Sequence, residues 1–118
     1  MSDLRISDML RYQQALLEEH KGDWLPHIPE NGRDSLLWSI DEIGEVIAII
    51  KKKGDTAIME NEHVRAHFLE ECSDVLMYFM DMLDCYGITA EEISEAFEKK
   101  AKSNLKRTWA ENRTMYED

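Results

Sequence analysis

The chain has 118 residues, 43% of them hydrophobic, and its 25 Asp+Glu against 14 Lys+Arg give a formal net charge of -11. One domain of this length buries roughly 65% of the surface that it exposes when unfolded, and its acidity argues against a nucleic-acid polymer as partner, because duplex affinity comes from many Lys and Arg contacts to phosphate. The two cysteines, Cys72 and Cys85, form no CxxC pair, which speaks against cysteine-zinc or dithiol chemistry, and with neither a leader-like apolar segment at the start nor a run near ~20 apolar residues the expectation is a soluble, cytoplasmic protein with reduced thiols and no membrane segment.

In chain order, a first helix is expected over Ile6 to His20, with Met9, Leu10, Leu16 and Leu17 on its apolar side. Lys21 to Arg33 carries both prolines of the chain, Pro26 and Pro29, with Gly and Asn, and reads as a loop. A second helix is expected from Asp34 or Ser35, either of which suits the N-cap, to Lys53, with Gly54 as its stop and three lysines in its last turns. Leu36, Ile40, Ile43, Ile47 and Ile50 repeat at spacings of 4 and 3 and are expected to face the core. Asp55 to Glu62 reads as a connection with room for one helical turn.

A third helix is expected over His63 to Tyr86, with Phe68, Cys72, Val75, Phe79, Leu83 and Tyr86 as its apolar side. Gly87 and Ile88 end it. Thr89-Ala-Glu-Glu92 is a capping box that opens a fourth helix at once, expected to reach about Trp109 before a polar tail. The organisation expected is a single all-α domain over 1–118, a four-helix, bundle-like arrangement: an N-terminal helix and loop over 1–34, the chemistry-bearing helices over 35–109 and the tail over 110–118.

On a wheel of about 100° per residue, Trp38, Glu42, Glu45 and Ile49 form a stripe on the second helix. His67, Glu71, Asp74, Tyr78 and Asp81 share one side of the third. Glu42/Glu45 and Glu71/Asp74 are each spaced i, i+3, so each pair is adjacent on its helix. If the two helices pack antiparallel, four carboxylates converge. Two like charges ~4 Å apart repel by about 4 kcal/mol at an effective dielectric near 20, so such a cluster calls for a cation. An all-oxygen set suits Mg²⁺, with Mn²⁺ as a substitute. The competing interpretation is two solvated acidic faces on a helical interaction module without enzymatic activity. A di-iron carboxylate bundle is disfavoured, because that site wants two Glu-x-x-His pairs and only Glu60-x-x-His63 occurs.

Asp41-Glu-Ile-Gly-Glu45 and Glu70-Glu-Cys-Ser-Asp-Val-Leu-Met-Tyr78, separated by residues 46–70, resemble the ExxE and ExxD halves of MazG-like all-α nucleoside triphosphate pyrophosphohydrolases. The resemblance runs from about Leu36 to Arg107 and includes the Tyr-Gly-Ile-Thr turn of residues 86–89. Related groups are the dimeric dUTPases and the phosphoribosyl-ATP pyrophosphohydrolases. The resemblance implies Mg²⁺ held by Glu42, Glu45, Glu71 and Asp74, attack at the α-phosphorus of a nucleotide, release of a monophosphate and pyrophosphate, and a homodimer or homotetramer that completes the fold. Glu42, Glu45 and Glu71 are all candidates for the general base.

In the fourth helix the apolar side of Ile93, Ala96 and Phe97 runs on into Lys100, Asn104 and Arg107. These either end a solvated helix or, as the resemblance implies, meet substrate phosphates, with Lys102 and Lys106 as rivals. Trp38 and Tyr78, each one turn from a carboxylate, either stack on a nucleobase or belong to the core. Trp24 is a weaker base candidate. His67 is placed to hydrogen-bond a carboxylate, whereas His20, His27 and His63 carry no pattern. The base, the sugar and the phosphate count of the substrate are left open by the two irregular segments. Specificity of the dUTPase or phosphoribosyl-ATP type stands as an alternative.

Overall fold

A computed structural model describes residues 2–107. Among them the regular elements are all helical: α1 (Ile6–Glu19), α2 (Gly32–Lys53), α3 (Asp55–Glu60), α4 (Glu62–Cys85) and α5 (Ala90–Lys106), with one 3-10 turn at Pro29–Asn31. The chain divides into two compact units, Met1–Ile88 and Thr89–Asp118. The expected end of the last helix near Trp109 and the tail of 110–118 lie outside the described residues.

Local chemistry sets most of these boundaries. Asn61 caps α4, its side-chain oxygen accepting from the His63 and Val64 amides at 3.0 and 3.1 Å. Thr89 and Glu92 form the reciprocal capping box of α5, both bonds at 3.1 Å. Gly54, at φ +84°, ends α2, and Gly87, at φ +66°, follows α4, a left-handed backbone that glycine adopts without a Cβ penalty. The expected connection after Gly54 is the helix α3, which buries Ile58. α2 opens earlier than expected: its N-cap is Asn31, not Asp34 or Ser35, because the 3-10 turn from Pro29 runs straight into it. Ser35 lies a turn inside the helix, buried with its Oγ 3.9 Å from Cys85 Sγ.

Within the first unit α2 packs chiefly on α4, and α1 and α3 also pack on α4. Ser35 meets Cys85, the Ser39 hydroxyl donates to the Val75 carbonyl at 2.9 Å, and Glu42 meets Glu71 and Asp74. Rising numbers on α2 thus pair with falling numbers on α4, so the two helices run antiparallel. The face that α2 turns to α4 corrects the sequence expectation. Its buried residues are Gly32, Ser35, Ser39 and Ile49, whereas Leu36, Ile40, Ile43, Ile47 and Ile50 are 36–54% exposed. Small side chains won the interior because they let two helix backbones approach closely. At Gly32 an added Cβ would sit 2.3 Å from the Tyr86 ring. On α4, Leu83 is buried as expected, but Phe79 and Tyr86 are 38% and 51% exposed, and Met80 and Cys85 are buried instead. No helix among the described residues is long and apolar enough to cross a membrane.

Candidate active site

The antiparallel pairing of α2 and α4 carries acidic residues of both helices to one place. Glu42, Glu71 and Asp74, each half-buried, have carboxylate oxygens within 4.8 Å of one another. These three are the members of the candidate metal group. Glu45, one turn further along α2, is exposed and lies outside it, although its charge still reaches Glu42.

The electrostatics of the group are strained without a counter-charge. A hydrogen bond with Glu71, burial, and the negative charges of Asp74, Glu71 and Glu45 push the Glu42 carboxyl up to about 7. Burial, then Glu71 and Glu70, raises Asp74 as well. Each shift says that the ionised form is disfavoured in this setting. A group of oxygen-only donors, short of positive charge and drawn from two helices, fits a hard divalent cation. His67 Nε2 lies 3.3 Å from Glu71 Oε1, the hydrogen-bonding position expected from its spacing on the helix.

One turn from the carboxylates lies a cleft of about 330 Å³, lined among others by Trp24, His27, Ser35, Trp38, Tyr78 and Asp81. Trp38 and Tyr78, from α2 and α4, meet edge to face with centroids 5.8 Å apart. Trp24 stacks on His20 at 4.1 Å. Burial and the charges of Glu42, Asp74 and Asp81 raise the Tyr78 phenol, so this side chain feels both the carboxylate group and Asp81 in the lining of the cleft.

His27 is the residue that sequence reasoning passed over. Its side chain is only 8% exposed, with Nδ1 2.7 Å from Asp84 Oδ2 and Nε2 3.4 Å from Asp81 Oδ1. Gln13 and Gln14 of α1 donate to Asp81 Oδ1 and Asp84 Oδ1, both at 2.9 Å. Burial raises the Asp81 carboxyl, Gln13 and His27 pull it down, and Asp84 raises it. The partners of His27 are 54 and 57 positions away along the chain, and no local spacing signals such a pairing.

Lys100 and Asn104 are exposed on α5, and Arg107, which follows it, is half-buried. They belong to the second unit. Their rival Lys102 pairs with Glu98 at 2.7 Å.

A family model described as dATP/dGTP pyrophosphohydrolase matches residues 33–118, well over half of the chain. No curated protein and no solved structure matches.

Proposed function

The chain belongs to the dATP/dGTP pyrophosphohydrolase family, which makes it a hydrolase of phosphoric anhydrides, and from that premise we propose that it hydrolyses a purine deoxynucleoside triphosphate, with Mg²⁺, to the monophosphate and pyrophosphate. The observation that carries this reading is the meeting of Glu42, Glu71 and Asp74 from two helices within 4.8 Å. These three would hold the cation, with Glu45 joining at the exposed edge of the group. A bound divalent ion would supply charge neutralisation and polarisation of the phosphoryl group.

The remaining steps fall to side chains. Water adds its oxygen to the α-phosphorus, and the bond from that phosphorus to the α–β bridging oxygen breaks. Pyrophosphate leaves, and the proton of the water passes to a carboxylate. Glu45 suits that last role best, through the carboxylate oxygen not turned to the cation, because it lies at the exposed edge of the group where water reaches it. Lys100, Asn104 and Arg107 would bind the phosphates and offset the charge that develops on the leaving oxygens. Trp38 and Tyr78 would hold the base. A second copy of the chain, in a homodimer or homotetramer, would cover the apolar stripe of α2.

The test is release of pyrophosphate from a panel of dNTPs and NTPs by purified protein with Mg²⁺. dATP and dGTP are expected to be the best substrates, with turnover abolished by a chelator. Failure to release pyrophosphate from every nucleotide, with no Mg²⁺ or Mn²⁺ binding by calorimetry, would leave the non-enzymatic interaction module as the better account.

A further inference from the structure

The lining of the cleft beside the carboxylates includes two carboxyl groups outside the Glu42, Glu71 and Asp74 group, Asp23 and Asp81; Asp23 is exposed on the loop, whereas Asp81 is half-buried on α4. Asp81 lies seven residues beyond Asp74 on α4, which at 1.5 Å per residue is about 10 Å along the helix axis. That is the scale of a nucleotide from its α-phosphate to the far edge of its base. The lining includes three aromatic side chains, Trp24, Trp38 and Tyr78, the last two meeting edge to face. A volume of about 330 Å³ falls within the range of small-ligand clefts, about 300–1,000 Å³.

The carboxyl group of Asp81 is held in place. The Gln13 amide donates to it at 2.9 Å and His27 Nε2 lies 3.4 Å away, and both contacts fall on Oδ1, so neither of them takes Oδ2. His27 is in turn anchored by Asp84, and Asp84 by Gln14. Three separate segments, α1, the loop before α2 and α4, therefore converge to orient one acceptor in an aromatic cleft. A fixed anionic acceptor there selects a ligand with N–H donors on the edge of a flat ring. Adenine offers its 6-amino group, and guanine its N1–H and 2-amino group. Unsubstituted purine, once joined to a sugar through N9, offers none.

We propose that this cleft takes the nucleobase and that Asp81 is its specificity-determining residue, accepting hydrogen bonds from the N–H donors of the purine edge. The inference rests on the hydrolase reading and adds to it the residue that reads the base.

The experiment compares dATP with purine 2′-deoxyriboside 5′-triphosphate, which lacks the amino group, in wild type and Asp81→Asn. In wild type the ratio of kcat/KM values is expected to favour dATP about tenfold or more, the size of one lost charge-assisted hydrogen bond, and in Asp81→Asn that ratio falls toward one. Binding of the two corresponding monophosphates, followed by tryptophan fluorescence without added metal, should show the same preference and the same loss. Wild type that turns over both triphosphates equally overturns the role of Asp81 and leaves the hydrolase reading standing. No turnover of any nucleotide overturns the hydrolase reading, and the fluorescence preference then decides the cleft by itself. If Asp81→Asn does not fold by circular dichroism, the wild-type preference is the deciding measurement, and a ratio near one overturns the proposal.

Discussion

At Glu42 several negative neighbours act on a single carboxyl, and the consequences can be measured without substrate. Its value of about 7 in the fold lies above its ordinary 4.5, so the folded protein holds this proton more tightly than the unfolded chain does. The stability that this proton contributes is fully present below about pH 4.5 and is lost as pH rises through 7. The melting temperature of metal-free protein should therefore fall between those values, and Glu42→Gln should flatten that part of the curve. A cation that binds only the folded state reverses the loss, so adding Mg²⁺ at pH 8 should raise the melting temperature of wild type and not of Glu42→Gln. Neutralising a ligand has a double effect for the same reason. Glu71→Gln and Asp74→Asn should each abolish pyrophosphate release while the far-ultraviolet spectrum keeps its helical shape, because each removes a repelling charge from the metal-free protein. Full activity in both would contradict the assignment.

At the scale of the elements, the close packing of α2 on α4 sets the distance between the carboxylates. Ser39 is 2% exposed, and its hydroxyl donates to the Val75 carbonyl within one turn of both Glu42 and Asp74. Ser39→Ala loses one hydrogen bond and should cost about 1 kcal/mol in urea unfolding, with turnover largely kept. Ser39→Leu forces a large side chain into the same contact, an overpacking of about 1–3 kcal/mol or more. It should also weaken Mg²⁺ binding, since spreading the helices moves Glu42 away from Glu71 and Asp74. Equal activity in the two variants would show that helix spacing does not control the site.

For the whole molecule, the stripe of Leu36, Ile40, Ile43, Ile47 and Ile50 is an exposed apolar surface of the first unit. Contiguous apolar surface of this kind marks an interaction site on a folded protein. Coverage by a second copy predicts a homodimer or homotetramer in light scattering. Replacing Ile43 and Ile47 together by Glu should give a helical monomer, because paired charges cannot be buried in an apolar contact without a large desolvation penalty. A wild-type monomer with full turnover would remove the assembly from the account.

The four long helices, most of their ends and the acidic pairs were legible in the sequence because each is a local property, whereas the start of α2 at Gly32 and the short α3 were not. Spacings of 3 and 4, the Thr89–Glu92 box and the glycines at 54 and 87 act within a turn or two of themselves, and Glu42/Glu45 and Glu71/Asp74 are neighbours on their own helices whatever the fold. Which side of α2 is interior was decided only by the tertiary structure. Hydrophobicity marked the isoleucine stripe, but backbone approach at Gly32, Ser35 and Ser39 decided the contact. The same holds for the membership of Glu42 rather than Glu45 in the three-carboxylate group, and for the burial of His27 between Asp81 and Asp84. Both depend on residues tens of positions apart being brought within a few ångströms, and a one-dimensional pattern carries no record of that distance.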